Sequence, residues 1–195
     1  MFTGIVEELG IVKKIEILSG GNIEFGVECS FWQELTLGQS IAHNGVCLTV
    51  TRFDQNLYFV TAIVETLSKT NLGTIRGGDE INLERCMPAN GRFDGHIVQG
   101  HVDTVGICED VTQNEGSWLF VFSHPLQTGY ITVTKGSICV NGASLTVVNS
   151  EKDNFSVAII PYTHAHTNFK NIQKGSEVNL EFDILGKYIA KMQHN

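Results

Sequence analysis

The stretch SIAHNGVCLTV at residues 40–50 decides the fold, because it returns as SICVNGASLTV at residues 137–147, with seven of eleven positions identical. Each copy predicts a strand, a tight turn and a second strand, since Asn-Gly between apolar runs is a strong hairpin signal. Just past the turn the copies differ, with Cys47 in the first and Ser144 in the second. A thiol and a hydroxyl therefore occupy matching places, two residues before a shared threonine.

The duplication extends well beyond the hairpins. Residues 4–10 align with residues 100–106 at a shift of 96, and residues 60–84 align with residues 157–181 at a shift of 97. A long period that occurs only twice indicates duplicated domains, because a solenoid stacks three or more short units. We therefore expect three regions, which are an N-terminal barrel at 1–96, a C-terminal barrel at 97–183 and an oligomerisation helix at 184–195.

Composition narrows the functional class. The chain has 195 residues, of which 42% are apolar and 17% charged, as is typical of a globular protein. A net charge of −8 argues against nucleic-acid binding, and no apolar run is long enough to span a membrane. The N-terminus lacks the basic region of a signal peptide. Five scattered cysteines without a CxxC pair indicate free thiols in the reducing cytoplasm rather than disulfides or a zinc site.

Short strand-like runs separated by turn residues predict an all-β fold. In the first half the predicted strands are 10–17, 22–27, 40–42, 48–53, 57–63 and 80–83. Six such runs favour a small closed Greek-key barrel, which leaves no exposed sheet edge. The second half repeats the pattern, so the fold class is two similar six-stranded Greek-key barrels plus a short C-terminal α-helix. Two helix-like pieces are expected at matching places, near residues 67–72 and 164–169.

The tail has its own pattern, with apolar residues at 184, 185, 188, 189 and 192 at helical spacing after the candidate N-cap Asp183. A helix this short is marginal in isolation, so it must pack on something. Docking on its own barrel and self-association are both compatible with the sequence.

His101 is the first candidate for chemistry. It takes the place that Ile5 has in the first copy, on what the pattern predicts to be a half-buried strand position. A structural histidine with a satisfied hydrogen bond is the alternative to a catalytic or ligand-binding one. His96 lies five residues earlier, but this spacing puts the two rings on opposite faces of a strand and argues against a metal site.

Cys47 alone would be interpreted as a small buried apolar residue, but its equivalence to Ser144 favours a functional position. A serine hydrolase is excluded because Ser144 follows a hairpin and no Gly-x-Ser-x-Gly elbow is present. Lys135, at the entrance to the second hairpin, is either a surface residue or a ligand contact. The matched threonines are either ordinary strand residues or donors to a planar heterocycle, and they are Thr49, Thr146, Thr66 and Thr163.

Four segments together resemble the riboflavin synthase family over nearly the whole chain. They are MFTGIVEE at the start, NGVCLTV at 44–50, GRFDGHIVQGHVD at 91–103 and NGASLTV at 141–147. The resemblance implies two barrels, a C-terminal helix and a homotrimer whose active sites form between the N-barrel of one subunit and the C-barrel of another. It implies a dismutation in which two molecules of 6,7-dimethyl-8-ribityllumazine exchange a four-carbon unit, without metal or redox cofactor. The products are riboflavin and 5-amino-6-ribitylaminouracil, and association with lumazine synthase is a further expectation.

The resemblance also assigns binding positions to each barrel. The N-barrel lumazine would contact Gly4, Ile5, Val6, Cys47, Leu48, Thr49, Thr61, Ala62, Ile63, Val64, Glu65 and Thr66. The C-barrel lumazine would contact Gly100, His101, Val102, Lys135, Ser144, Leu145, Thr146, Ile159, Ile160, Pro161, Tyr162, Thr163 and His164. The catalytic candidates are His101, Ser144, Cys47, Thr146, Ser40 and Asp183.

Physical reasoning agrees with this chemistry. The C7 methyl of the lumazine is acidic through conjugation with the ring, so holding two molecules face to face can supply much of the rate. The runner-up is a non-catalytic lumazine-binding or flavin-binding antenna protein with one competent pocket. Both copies here keep the Asn-Gly-x-[Cys/Ser]-Leu-Thr-Val pattern, which favours the enzyme.

Overall fold

Both Asn-Gly dipeptides form the tight turns that the sequence predicts. In the computed structural model, which describes residues 1–193, Asn44 and Gly45 have φ of 47° and 80°, and Asn141 and Gly142 have φ of 46° and 81°. Positive φ at both central residues defines a type I′ turn, whose twist matches that of paired strands. The two hairpins are therefore built in the same way, and each turn sets the register of the two strands that it joins.

The strands form two closed six-stranded barrels, as predicted. The first barrel contains β1 (Glu8–Ile17), β2 (Ile23–Glu28), β3 (Ser40–His43), β4 (Val46–Asp54), β5 (Leu57–Ala62) and β6 (Glu80–Arg85). The second contains β7 (Thr104–Asn114), β8 (Ser117–Ser123), β9 (Ser137–Val140), β10 (Ala143–Ser150), β11 (Asn154–Ile159) and β12 (Glu177–Phe182).

The strand order is the same in both barrels and has Greek-key connections. Around the first barrel the order is β1-β2-β5-β4-β3-β6, and around the second it is β7-β8-β11-β10-β9-β12. The register shifts by one residue at matching places, between Val12 and Lys14 in β1 and between Cys108 and Asp110 in β7. Such bulges bend a strand sharply, which a barrel of only six strands requires.

Short helices cap each barrel. They are α1 (Val64–Lys69) and α2 (Pro161–His166), followed by 3-10 turns at Asn71–Thr74 and Asn168–Asn171. The sequence places them three residues too late and as single pieces. The correction has a local cause, because Thr70 and Thr167 are extended, with φ of −134° and −132°, and each divides its segment in two.

The C-terminal helix is α3 (Ile184–Gln193), and the last two residues assigned to it from sequence lie outside the described residues. The Asp183 carboxylate accepts a hydrogen bond from the Leu185 N–H at 3.0 Å, as expected of an N-cap. Lys187 binds Asp103 at 2.6 Å and ties the helix to the second barrel. No helix in the described part of the chain is long and apolar enough to cross a membrane.

Each barrel has its own apolar core, and a small third cluster lies between them. Phe2, Ala42, Val98 and Cys139 make up this cluster, and Phe2 and Val98 pair as an isolated antiparallel bridge. All five cysteines are free thiols, as the sequence predicts.

The barrels meet around an approximate twofold axis. At the hairpin tips a Cβ on Gly45 would come within 2.8 Å of the Gly142 backbone, so both positions require glycine. Buried asparagine side chains connect the halves through hydrogen bonds, and these residues are Asn44, Asn71, Asn82, Asn141, Asn168 and Asn179. Leaving buried amides unpaired is costly, so these hydrogen bonds favour this contact between the barrels, although Oδ1 of Asn71 has no partner within residues 1–193.

Candidate active site

The extended segments that precede β1 and β7 each cross to the hairpin of the opposite barrel. The Cys47 N–H donates to the Gly100 carbonyl at 2.9 Å, and the Ser144 N–H donates to the Gly4 carbonyl at 2.7 Å. A Cβ on either glycine would lie 2.6 Å from the Cβ of Cys47 or Ser144, so only glycine allows the approach. The sequence analysis assigns residues 4–6 to the N-barrel ligand and residues 100–102 to the C-barrel ligand, and this grouping is wrong. Residues 4–6 lie beside Ser144 of the second barrel, and residues 100–102 lie beside Cys47 of the first.

We call the first constellation the Cys47 half-site. It is built on the first barrel, and its candidate members are Ser40, Cys47, Leu48, Thr49, the run 61–66 and the crossing segment 100–102. Residues 61 and 62 end β5, which pairs with β4, and Val102 packs against the first core. Of these side chains, Ile63 and Val64 are exposed and form an apolar rim.

Cys47 is a neutral thiol in this half-site. Burial raises the pKa of the thiol, and the hydroxyl of Ser40, which lies against it, offsets this only in part. Nucleophilic cysteines need the opposite environment, because the thiolate is the reactive form. The geometry favours contact with a ligand over attack by sulfur.

We call the second constellation the Ser144 half-site. Its candidate members are Ser144, Leu145, Thr146, Lys135, Asp183, the run 159–164 and the crossing segment 4–6. Val6 packs against the second core, as Val102 does against the first. The exposed apolar rim here comes from Ile160 and Tyr162.

Lys135 has a backbone conformation that is rare for a residue with a side chain. Its φ is 69°, and its counterpart in the first barrel is Gly38, with φ of 82°. The N–H of Lys135 donates to the Val147 carbonyl at 2.9 Å, in the same way that Gly38 binds Val50. A lysine kept where the other copy has glycine is an outlier of the kind found at functional sites.

Ser144 forms a hydrogen bond that the sequence analysis missed. Its Oγ lies 2.7 Å from Nδ1 of His96, a residue considered from sequence only as a metal ligand. Burial lowers the pKa of His96, and the charge of Asp183 acts in the opposite direction. When the ring proton is on Nε2, Nδ1 accepts the serine proton, so the pair has the geometry of a nucleophile or acid with its base. Within residues 1–193, no histidine forms a hydrogen bond with the Cys47 thiol.

His101 and Ile5 lie in the crossing segments and not in strands, so the expectation of half-buried strand positions is wrong. Both are exposed, and within residues 1–193 the His101 side chain forms no hydrogen bond. The reason is that residues 3–6 and 99–103 bridge two barrels before they join a ladder. His101 therefore belongs to the Cys47 half-site and is free to contact a ligand.

Two further residues of the Ser144 half-site escaped the sequence analysis. The Trp118 ring stacks on His164 with centroids 3.9 Å apart and planes at 8°. Ser137 pairs with Thr146 across the hairpin, as Ser40 pairs with Thr49. The repeat itself marks Ser137 as the counterpart of Ser40, whereas nothing local marks Trp118.

The catalytic candidates thus fall into two sets. Ser40, Cys47 and His101 lie in one half-site, and Ser144, Thr146 and Asp183 in the other. Among the described residues no hydrogen bond joins side chains of one set to those of the other, so one chain presents two separate half-sites. Also within that part of the chain, no group of three or more His, Cys, Asp or Glu residues is arranged to hold a metal ion.

Comparison with known proteins identifies the family. The family model described as "Lumazine binding domain" matches residues 3–86 and again residues 99–183. A riboflavin synthase of Actinobacillus pleuropneumoniae is 45% identical over 98% of this chain and 89% of its own length. One from Bacillus subtilis is 38% identical over all of this chain and 90% of its own.

Solved structures agree on the fold. The crystal structure of LumP complexed with 6,7-dimethyl-8-(1'-D-ribityl) lumazine superposes with a TM-score of 0.83 at 23% identity, covering 93% of this chain and 99% of that one. The two barrels and paired half-sites thus define a protein with duplicated lumazine-binding domains. Within that class, the chain belongs to the riboflavin synthase family of enzymes.

Proposed function

We propose that this chain converts two molecules of 6,7-dimethyl-8-ribityllumazine into riboflavin and 5-amino-6-ribitylaminouracil by transfer of a four-carbon unit. The observation that carries the proposal is the pair of half-sites, which share a backbone and differ in chemistry. Two identical substrates must take unlike roles in this reaction, one as donor and one as acceptor. The atoms of the two substrates equal those of the two products, so the reaction consumes no redox partner.

The Ser144 half-site contains the proton-transfer group. One lumazine loses a proton from its C7 methyl, and the His96–Ser144 pair is the base that the site offers at hydrogen-bond distance. Because burial lowers the pKa of His96, its imidazole is neutral and ready to accept a proton at neutral pH. The acidity of the methyl group keeps the demand on this base modest.

Orientation supplies much of the remaining rate. Each heterocycle would lie against an exposed apolar rim, at residues 63–64 in one half-site and at Ile160 and Tyr162 in the other. The extended crossing segments and the threonine hydroxyls at matching positions would contact it as well. Holding two reactants at contact distance converts a bimolecular step into an effectively unimolecular one.

We propose that the half-sites meet between subunits of a homotrimer. Leu185, Tyr188, Ile189 and Met192 on α3 are between 58% and 76% exposed, whereas Ala190 faces the barrel and is buried. A short helix with one face docked and an apolar face outward suits self-association. Cutting the chain after Asp183 should lower the sedimenting mass, and an unchanged mass would contradict this assignment.

Two finer expectations accompany the proposal. The free thiols support a cytoplasmic location. Association with lumazine synthase, the expected source of the substrate, can be tested by cosedimentation of the two purified proteins.

The decisive experiment is incubation of the purified protein with the lumazine alone. We expect riboflavin absorbance to rise until half of the lumazine has become riboflavin, since each product molecule needs two substrates. Saturable binding without turnover would instead assign the chain to the antenna proteins, and absence of both would reject the proposal.

A further inference from the structure

Glu181 binds the crossing segment of its own half through three consecutive backbone N–H groups. Its carboxylate accepts from Gln99 at 2.6 Å and from Gly100 and His101, each at 2.9 Å. The side chain belongs to β12, and the residue is only 3% exposed. The backbone on both sides of Gly100 is therefore held by one carboxylate.

Glu84, 97 residues earlier, binds the crossing segment of the first half in the same way. It is 5% exposed, and its carboxylate accepts from the N–H of Thr3 at 2.7 Å, from the Thr3 hydroxyl at 3.0 Å and from the N–H of Gly4 at 3.0 Å. The segment that it binds is the one that carries Ile5 to the Ser144 half-site. The device is thus present in both copies, although the residues that it delivers, Ile5 and His101, are unlike.

The chemistry of these contacts requires carboxylates. In each case both oxygens face donors, and a glutamine would turn its NH₂ group toward an N–H. Within residues 1–193 no lysine or arginine forms an ion pair with either glutamate, and the nearby Lys187 binds Asp103 instead. A buried charge without a counterion is costly, so the aligned N–H groups are its stabilisation.

A row of residues paired across the sheet connects each glutamate with a half-site. Glu84 pairs across the sheet with Ala42, and Ala42 pairs with Cys47, whose N–H binds Gly100.

The second row repeats this arrangement and closes a ring. Glu181 pairs with Cys139, and Cys139 pairs with Ser144, whose N–H binds Gly4. Gly100 therefore connects Cys47, at the end of the first row, with Glu181, at the start of the second. Gly4 connects Ser144 with Glu84 in the same way.

Resting on the proposed function, we propose that Glu84 and Glu181 are positioning residues for the reaction, each holding the segment that completes the half-site on the opposite barrel. Glu181 then governs the Cys47 half-site through His101, and Glu84 governs the Ser144 half-site through Ile5. Neither carboxylate touches the reacting atoms in this arrangement.

This role has a pH signature. Burial raises the pKa of Glu181 to about 7, and it also raises the pKa of Glu84. A protonated carboxyl loses an acceptor, so the grip on residues 99–101 weakens as the pH falls through 7. The other titratable or charged groups near Glu181 are Lys187 on α3, Cys139 on β9, Cys47 on β4 and His101 itself. All four remain when only Glu181 is replaced.

The test compares Glu181→Gln with Glu177→Gln, a matched control on the same strand whose exposed side chain forms no hydrogen bond or ion pair in the described residues. We measure kcat, KM and riboflavin affinity by fluorescence titration between pH 6 and 8.5. We expect wild-type kcat/KM to decline as the pH falls through 7. Glu181→Gln should lower kcat/KM at pH 8 about tenfold and should not show this decline. Glu177→Gln should stay within about threefold of the wild type and keep that decline.

The proposal is overturned if Glu181→Gln stays within threefold of the control, or if it loses activity but keeps the decline near pH 7. Circular dichroism and the Tm show whether the variant is folded. If it is not, the wild type decides: riboflavin affinity that does not fall between pH 8 and 6 would also overturn the proposal. Failure of the proposed function looks different, because wild-type protein would then form no riboflavin, while the binding titrations would still report on Glu181.

Discussion

The two halves of the molecule share a backbone and differ where a ligand would touch them. Strand order, bulges, hairpin turns and the buried glutamates recur at a shift of 96 or 97 residues. The differences are that Ser144 stands where the first copy has Cys47, and His101 where it has Ile5. One difference lies deep in the core, where the pair His43 and Tyr58 of the first barrel is replaced by Val140 and Phe155 in the second. Duplication has kept the scaffold and varied the chemistry on it, which is what a reaction between two identical substrates requires.

The largest expected effect is on the pH dependence of stability, and it comes from the buried pair His43 and Tyr58. Nδ1 of His43 donates to the Ile41 carbonyl at 3.1 Å, and Nε2 accepts from the Tyr58 hydroxyl at 2.9 Å. Burial lowers the pKa of His43 to about 4 from an unfolded value of 6.5. Between these values the unfolded chain binds a proton that the folded chain does not, so stability is full above pH 6.5 and falls toward pH 4. The loss is about 3 kcal/mol at 1.36 kcal/mol for each pKa unit.

The double variant His43→Val with Tyr58→Phe removes this difference, because it gives the first barrel the residues that the second has at these positions. Denaturant unfolding at pH 7.5 and at pH 4.5 should show a smaller loss of free energy of unfolding in the double variant than in the wild type. Glu181, whose raised pKa acts in the opposite direction over this range, is common to both proteins and cancels. Equal acid losses in the two proteins would show that His43 does not distinguish the barrels.

The next effect is on turnover and concerns Ser144 and His96. Removing either partner should lower kcat about a hundredfold, within the range of general acid–base catalysis. Because the two side chains act as one unit, Ser144→Ala with His96→Ala should cost little more than either change alone. Steady-state kinetics on the two single variants and the double variant gives the coupling. Additive losses, near ten-thousandfold, would mean that the 2.7 Å contact is not used in the reaction.

Some features of the fold can be predicted from the sequence better than others. Barrel count, Greek-key order, both hairpin turns and the C-terminal helix could be predicted, because each depends on a local period or on Asn-Gly chemistry. The sequence defines the strand ends less well, since the ladders continue into polar residues such as Glu8 in β1 and Arg85 in β6.

The candidate site follows from the sequence only in part. Its residue types follow from the repeat and the family resemblance, but the crossing of segments 4–6 and 100–102 depends on two hairpin tips meeting across the twofold axis, which no local pattern encodes. His96 was missed for the same reason, because its partner lies 48 residues away in sequence. The roles of Glu84 and Glu181 are equally invisible, since both look like ordinary strand glutamates until the chain is folded.

A smaller effect is expected from exchanging Ile5 and His101. His101→Ile should lower kcat/KM about tenfold, because the side chain is exposed and contributes to ligand contact more than to packing. Its stability should change by no more than about 0.5 kcal/mol. Adding Ile5→His to this variant moves the imidazole to the Ser144 half-site. Restored activity in that double variant would show that the half-sites are interchangeable, which contradicts the assignment of unlike roles.

The smallest effect should come from Cys47→Ser, which gives the first half-site the hydroxyl of the second. Burial keeps the thiol neutral by raising its pKa, so sulfur has no nucleophilic role to lose, and a hydroxyl can fill the same place against Ser40. We expect kcat within about threefold of the wild type, together with slow alkylation of wild-type Cys47 by iodoacetamide at pH 7. A loss beyond tenfold, or rapid alkylation that abolishes turnover, would mean that the thiolate takes part. The contrast with Ser144→Ala is informative because the same barrel position is changed in each half. If only the second half loses its chemistry, the difference between the copies lies in the histidine that Ser144 contacts and not in the sulfur of Cys47.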